Sequence, residues 1–273
     1  MKNKTVIITG ASRGVGEAIA CRCALEGANV VVAAKTAEPH PKLSGTIFTV
    51  AEKIKKAGGS ALAIQVDVRE ESQVEAMVQQ TVEKFGQIDC LINNAGAISL
   101  TDAESTPMKR YDLMQSVNAR AVFLCSQMAL PWLKKSANPH IINLSPPISL
   151  DPRWLKNHLA YTISKYGMTL CTLGLSAEFE KYNIAVNSLW PKTVIATAAI
   201  EMLLGEDGMK QSRSPDILAD AALELLKTTG RKITGQTLID EDFLRTLGVK
   251  DFEKYSLSPG QKLLPDLFVD LDK

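Results

Sequence analysis

Residues 9–16, Thr9-Gly10-Ala11-Ser12-Arg13-Gly14-Val15-Gly16, constrain what this chain can fold into more than any other stretch. They follow an apolar run at 5–9 and open a helical pattern carried by Ala18, Ile19, Ala20 and Leu25. Glycines at 10, 14 and 16 let the backbone turn sharply and approach a pyrophosphate. The helix N-terminus beyond them offers unpaired N–H groups and a favourable dipole. A glycine cluster alone is consistent with an ordinary turn. Its position between a strand and a helix, at the start of the chain, instead predicts a dinucleotide-binding unit.

The rest of the chain keeps the rhythm such a unit requires. Residues 30–34, 61–66, 90–92, 140–144 and 185–189 read as further strands with helical patterns between them. Runs that are apolar on both faces predict a parallel, doubly wound α/β sheet of Rossmann type, covered by helices on both sides. Residues 1–241 are expected to form one domain that holds both nucleotide and substrate. Two stretches break the rhythm. Residues 36–44, with Pro39, His40 and Pro41, exceed what the turn needs and predict a flap beside the nucleotide. In 242–273, Pro259 and Pro265 forbid a long helix, while Phe252, Tyr255, Leu263, Leu264 and Phe268 predict an extension packed on the body or at an oligomer contact.

With 31 basic against 30 acidic residues the net charge is +1, which gives no electrostatic reason to expect nucleic acid or an anionic membrane as a partner. No apolar run reaches membrane-spanning length, and the N-terminus enters a strand pattern too soon for a signal peptide. A small-molecule substrate and a cytoplasmic location are therefore expected. Cys21, Cys23, Cys90, Cys125 and Cys171 lack metal-ligand spacing, and His40, His140 and His158 are widely separated, so neither a metal nor disulfides are expected.

Cofactor preference is read at the end of the second strand. NAD-preferring folds place a carboxylate there to accept from the ribose hydroxyl, whereas this strand ends Ala33-Ala34-Lys35-Thr36. With the acid missing and a cation following, Ser12, Arg13 and Lys35 together suit a 2′-phosphate, and NADP(H) is expected over NAD(H).

Further on, Tyr161 and Lys165 stand four apart in a helical pattern and so share a helix face. A nearby ammonium favours phenolate over phenol, which predicts that Lys165 lowers the Tyr161 pKa for general acid/base work. The ordered set Thr9 to Gly16, Asp67-Val68, Asn93-Asn94-Ala95-Gly96, Asn118 and Tyr161-x-x-x-Lys165 resembles the short-chain dehydrogenase/reductases over roughly residues 3–240. Residues 33–43, Ser145-Pro146-Pro147 and 189–193 resemble one branch of it, whose longer members add a sterol-carrier domain absent from these 273 residues. The resemblance implies that Asp67 and Val68 bracket the adenine and that Asn94, Ala95 and Gly96 line the cofactor. It also implies that Lys165 bonds the nicotinamide ribose, that Asn118 holds a water, and that Pro191 and Val194 border the carboxamide. The usual Pro-Gly is Pro191-Lys192 here, a departure that predicts a different backbone path near Val194 and Thr197.

One departure stands out. By strand register the family's serine, which orients the substrate oxygen, falls on Pro146, which has no donor. Ser145 is one residue early and reaches the pocket only if the diproline twists the chain, and Ser149 is the alternative. The resemblance implies hydride transfer with Tyr161, Lys165, Asn118 and Ser145 as the catalytic set. Residues 198–204, with Trp154, Leu155 and Trp190, would line an apolar substrate pocket; the branch resemblance points to lipid-like carbonyls or alcohols. The resemblance also implies a homodimer or homotetramer. A second reading, motivated by Pro146, is an NADP(H)-binding sensor or interaction protein with weak or lost catalysis.

Overall fold

The computed structural model describes residues 1–41 and 43–269. Its centre is a seven-stranded, wholly parallel sheet in the order β3-β2-β1-β4-β5-β6-β7. The strands are β1 (Thr5–Thr9), β2 (Asn29–Ala34), β3 (Ser60–Gln65), β4 (Cys90–Asn93), β5 (His140–Asn143), β6 (Ala185–Trp190) and β7 (Thr237–Ile239). Strand order reverses between β1 and β4, and in such sheets the crevice outside the strands' carboxyl ends at that point receives the ligand.

Both faces of the sheet are covered, which is why its strands are apolar throughout rather than alternating. Val6, Ile8, Val30 and Val32 pack with α1 (Gly14–Leu25) and α8 (Asp216–Lys227) on one side. Ile7, Val31, Ala33 and Leu91 pack with α3 (Glu71–Phe85) and α5 (Ala121–Leu133) on the other. All eight of these strand side chains are fully buried. Each such burial contributes roughly 1.5–3 kcal/mol for a branched aliphatic residue. The six strands predicted from the sequence are present within a residue or so at each end. β7 was not anticipated: it has only three half-buried residues, too few for a pattern to show.

After β2 the chain makes the flap and re-enters a helix at α2 (Ile47–Lys56). Thr46 caps it reciprocally: Thr49 N–H donates to Thr46 Oγ1 (3.1 Å) while Thr46 N–H donates to Thr49 Oγ1 (2.8 Å). Between α4 (Met108–Gln115) and α5, residues Ser116–Arg120 form one π-helical turn. The helix that carries Tyr161 and Lys165 is α6 (Leu159–Glu178), and α7 (Ala198–Lys210) follows β6. No helix among the described residues is long and apolar enough to cross a membrane.

The C-terminal segment is built into this body. Its expected start at 242 lies inside α9 (Asp240–Thr246), whose Phe243 and Leu244 join Phe252 and Tyr255 in the core cluster beside α8. The chain then returns as an arm along the residues after β6. Val194 N–H donates to Leu264 O (3.0 Å), Leu264 N–H to Gln211 O (3.0 Å) and Asp266 N–H to Lys192 O (3.1 Å). Phe268 closes the arm, its ring centroid 5.4–6.2 Å from those of Trp154, His158, Tyr161, Tyr166 and Trp190. Residues 270–273 lie outside the described residues.

Candidate active site

The turn after β1 opens onto a cavity of about 840 Å³ at the reversal point of the sheet. Gly10 and Gly14 have φ of +66° and +57°, a region L side chains rarely adopt. Gly16 is required by space, since a Cβ there would stand 2.5 Å from Asn94 Nδ2 and 2.6 Å from Gly10 O. Asn94 is the cross-brace: its amide donates to Thr9 O (2.9 Å) and Gly10 O (3.1 Å), while Thr9 Oγ1 accepts from the N–H groups of Asn94 and Ala95 (both 3.1 Å). The loop after β4 thus holds the glycine turn in shape.

Ser12, Arg13, Val15, Lys35, Asp67, Val68, Ala95 and Gly96 share the wall of this cavity with the glycines. Arg13 spends its guanidinium on the flap, donating to Ser44 O and Gly45 O (both 2.8 Å), so that Leu43 and Ser44 also line the cavity. Lys35 is 72% exposed and lies 3.5 Å from Asp67 Oδ2. Asp67 is held to about 2 chiefly by the hydrogen-bonded Arg69 guanidinium (2.6 and 2.9 Å), against the upward push of burial.

At the other end, Tyr161 and Lys165 sit one turn apart on α6, only 5% and 6% exposed. Lys165 Nζ donates to Leu144 O (2.7 Å) and lies 5.0 Å from the Trp190 ring centroid. Burial pushes Lys165 down to about 8, with Asp266 opposing. Burial also drives the Tyr161 phenol well above its ordinary value, and Asp266 adds to the rise. Burial outweighs any lowering of Tyr161 by Lys165 here, and the ammonium is hydrogen-bonded to a main-chain carbonyl. Asn118 is fully buried in the π turn. Its Oδ1 accepts from Ala97 N–H (2.8 Å), and its Nδ2 donates to Ala97 O (3.0 Å) and Ser164 Oγ (2.8 Å), bracing the loop after β4 against α6. Gly96 passes close by, with a Cβ position 4.0 Å from Lys165 Nζ.

The serine expectation is corrected. Ser145 is wholly buried, and its hydroxyl pairs with Ser188 Oγ (2.8 Å), which continues to Thr172 Oγ1 (2.7 Å). The diproline does not turn it round: strand alternation carries it into the interior, and Pro146 O accepts from Thr169 Oγ1 (2.7 Å). Ser149 Oγ accepts from Asp151 N–H (3.3 Å), while its backbone exchanges hydrogen bonds with the Tyr166 hydroxyl. Neither serine lines the cavity of about 480 Å³ that Tyr161 lines. Val194 is also revised: its N–H is taken by Leu264 O and its carbonyl by Arg213 N–H (2.9 Å), so only its side chain faces the site.

Tyr161, Lys165, Pro191 and Val194 line a second cavity of about 480 Å³, walled mainly by apolar groups such as Trp154, Trp190, Ile200 and Leu204. Val15, Asn94, Ile98, Thr197 and Leu203 belong to both cavities, which therefore adjoin. Sequence reasoning missed Asp266 and Leu267, which also line the second cavity. The aromatic spacing of the tail signalled that it packs, but carried no information about where. No group of His, Cys, Asp or Glu among the described residues is placed to hold a metal ion.

A glycine cradle that a Cβ would fill, opening beside a buried Tyr–Lys pair, fits a nicotinamide dinucleotide. The chain belongs to the short chain dehydrogenase family, which it matches over residues 4–204, and that family uses nicotinamide cofactors. It is 57% identical over 266 residues to hydroxysteroid dehydrogenase-like protein 2 of Danio rerio, covering 97% of this chain and 64% of that one. The chain thus spans somewhat under two thirds of that relative's length. A short chain dehydrogenase from Mycobacterium thermoresistibile superposes with a TM-score of 0.93 at 49% identity, over 98% of this chain and 96% of that one. A metagenomic short-chain oxidoreductase solved with NADP gives 0.72 at 25% identity, over 87% and 96%.

Proposed function

We propose that this chain is an NADP(H)-dependent oxidoreductase acting on a carbonyl or hydroxyl group of a small, apolar, lipid-like substrate, with Tyr161 as general acid/base. The observation that carries the reading is the junction of the two cavities, one lined by the glycine turn and the other by Tyr161 and Lys165. The NADP complex of a structural relative and the placement of Ser12, Arg13 and Lys35 on one wall support the phosphorylated cofactor. Residues 10–16 would hold the pyrophosphate, Asp67 and Val68 the adenine, Asn94, Ala95 and Gly96 the middle, and Lys165 the nicotinamide ribose, with Pro191 and Val194 at the nicotinamide end. The nicotinamide, when bound, supplies or accepts the hydride. In the reducing direction Tyr161 donates its phenolic proton to the substrate oxygen, and the apolar wall keeps water from competing. An exposed apolar strip on α6, Leu159, Ile163, Leu170 and Leu173, supports self-association as a homodimer or homotetramer.

Fluorescence titration with NADPH and NADH, followed by carbonyl-dependent NADPH oxidation, tests this. Tyr161→Phe should lower kcat about 10²–10⁴-fold with NADPH affinity retained, and Lys35→Ala should weaken NADPH more than NADH. Preference for NADH would overturn the cofactor assignment. The diversion of Ser145 into the interior favours one other reading, a cofactor-binding sensor or interaction protein with weak catalysis. NADPH binding without turnover on a broad carbonyl panel would establish it.

A further inference from the structure

The wall of the Tyr161 cavity contains no serine, yet it contains one acid, Asp266, brought in by the C-terminal arm. We propose that Asp266, as a neutral carboxylic acid, donates the hydrogen bond that holds the substrate oxygen against the Tyr161 phenol, a role that rests on the reductase reading above. It would be a catalytic residue contributed by a segment outside the matched family region, which ends at 204.

The arm is fastened on both sides of Asp266 to the walls of that same cavity. Asp266 N–H donates to Lys192 O (3.1 Å), and Trp190 Nε1 donates to the carbonyl of the next residue, Leu267 (2.8 Å). One residue further on, the Phe268 ring lies 6.2 Å from that of Tyr161. The other polar side chains in the wall are engaged elsewhere. Asn94 is spent on the glycine turn, Thr197 Oγ1 accepts from Ile200 N–H at the head of α7 (3.5 Å), and Lys165 donates to Leu144 O. Among the described residues no ion pair joins Asp266 to Lys165, although the Lys165 charge acts on it.

Protonation follows from the surroundings. Burial pushes Asp266 up to about 8, the Leu267 N–H and Lys165 pull it down, and Asp240 pushes it up. Tyr161 and Lys165 on α6 line the same cavity as Asp266, and Asp240 at the head of α9 is the other charged group that acts on it. The upward direction of that shift favours the neutral acid, which can donate, whereas a carboxylate would oppose any negative charge forming on Tyr161 or on the substrate oxygen. No bond is made or broken at Asp266. Its proton stays on the carboxyl group, and the proton delivered to the substrate is that of Tyr161.

The test compares Asp266→Leu and Asp266→Asn in the full chain by kcat, KM, NADPH affinity, pH profile and carboxyl NMR of aspartate-labelled protein. Asp266→Leu should lower kcat about 10²–10³-fold, the effect of removing one donor to a developing oxyanion, with NADPH affinity unchanged. Asp266→Asn, which keeps a donor, should restore most of kcat and shift or remove the fall in activity near pH 8. A carboxyl signal titrating in that region should disappear in the same variant. Wild-type kcat in Asp266→Leu, or a carboxyl ionised throughout the neutral range, overturns the proposal. Loss of turnover in Tyr161→Phe but not in Asp266→Leu sinks this proposal alone, whereas a wild type without turnover sinks the reductase reading and this one together.

Discussion

Glu241 gathers three cations, Arg213, Arg245 and Lys192, and removing its carboxylate should destabilise the whole protein. It accepts from Arg213 Nη1 and from Arg245 Nε and Nη2 (the last two at 2.9 and 2.8 Å), and Lys192 Nζ lies 3.5 Å away. Arg245 is half exposed and Lys192 partly so, which leaves Arg213, 7% exposed, as the partner that cannot turn to water. Arg213 is also fixed by its backbone, donating to Val194 O and accepting from Ala196 N–H (2.8 Å) in the segment that lines the site. Glu241→Ala would therefore strand a buried guanidinium, at a cost of about 3–5 kcal/mol. At about 2–4 °C per kcal/mol for a domain of this size class, the melting temperature should fall about 6–20 °C. Glu241→Leu combined with Arg213→Met removes both charges and should recover much of the loss. Thermal unfolding of Glu241→Ala, of Glu241→Leu and Arg213→Met singly, and of the double is the assay, the last three read with wild type as a cycle. A fall below about 2 °C in Glu241→Ala, or a double no more stable than Glu241→Ala, would refute the reasoning.

Other expectations follow from neighbouring features. Burial raises Asp240 to about 7, and its Oδ2 has no partner among the described residues. A carboxyl with a raised folded pKa favours folding below its unfolded value near 3.8, and that advantage is lost as pH rises toward about 7. Relative to Asp240→Asn, the wild type should lose stability across that window, and parallel curves would contradict the assignment. Phe268→Ala removes the ring that latches the arm. Amide exchange should rise at Leu264 and Asp266 while β1 stays protected, and unchanged exchange in the arm would count against the latch. Gly16→Ala should destabilise by about 1–3 kcal/mol through the clash with Asn94 and Gly10 O and weaken dinucleotide binding. Calorimetry showing wild-type affinity would refute the cradle.

The sheet, the glycine turn and the Tyr161–Lys165 pair were legible in the sequence because each is local. Strand and helix periods, the φ > 0 demand at Gly10 and Gly14, and a four-residue helical spacing are written over short windows. β7 escaped because three residues carry no period, and Ser145 was misplaced because its orientation depends on whether Pro146 and Pro147 reset the alternation of β5.

Sequence alone, then, determined the architecture, the glycine turn and the helix that carries Tyr161 and Lys165. The tertiary structure decided where Lys165 points, since its acceptor Leu144 O lies on a different element. It also decided that Asn118 and Asn94 act as braces and that the arm lays Asp266 and Phe268 against Tyr161. Those relations join residues far apart in the chain through packing and directional hydrogen bonds, and no short-range pattern encodes them.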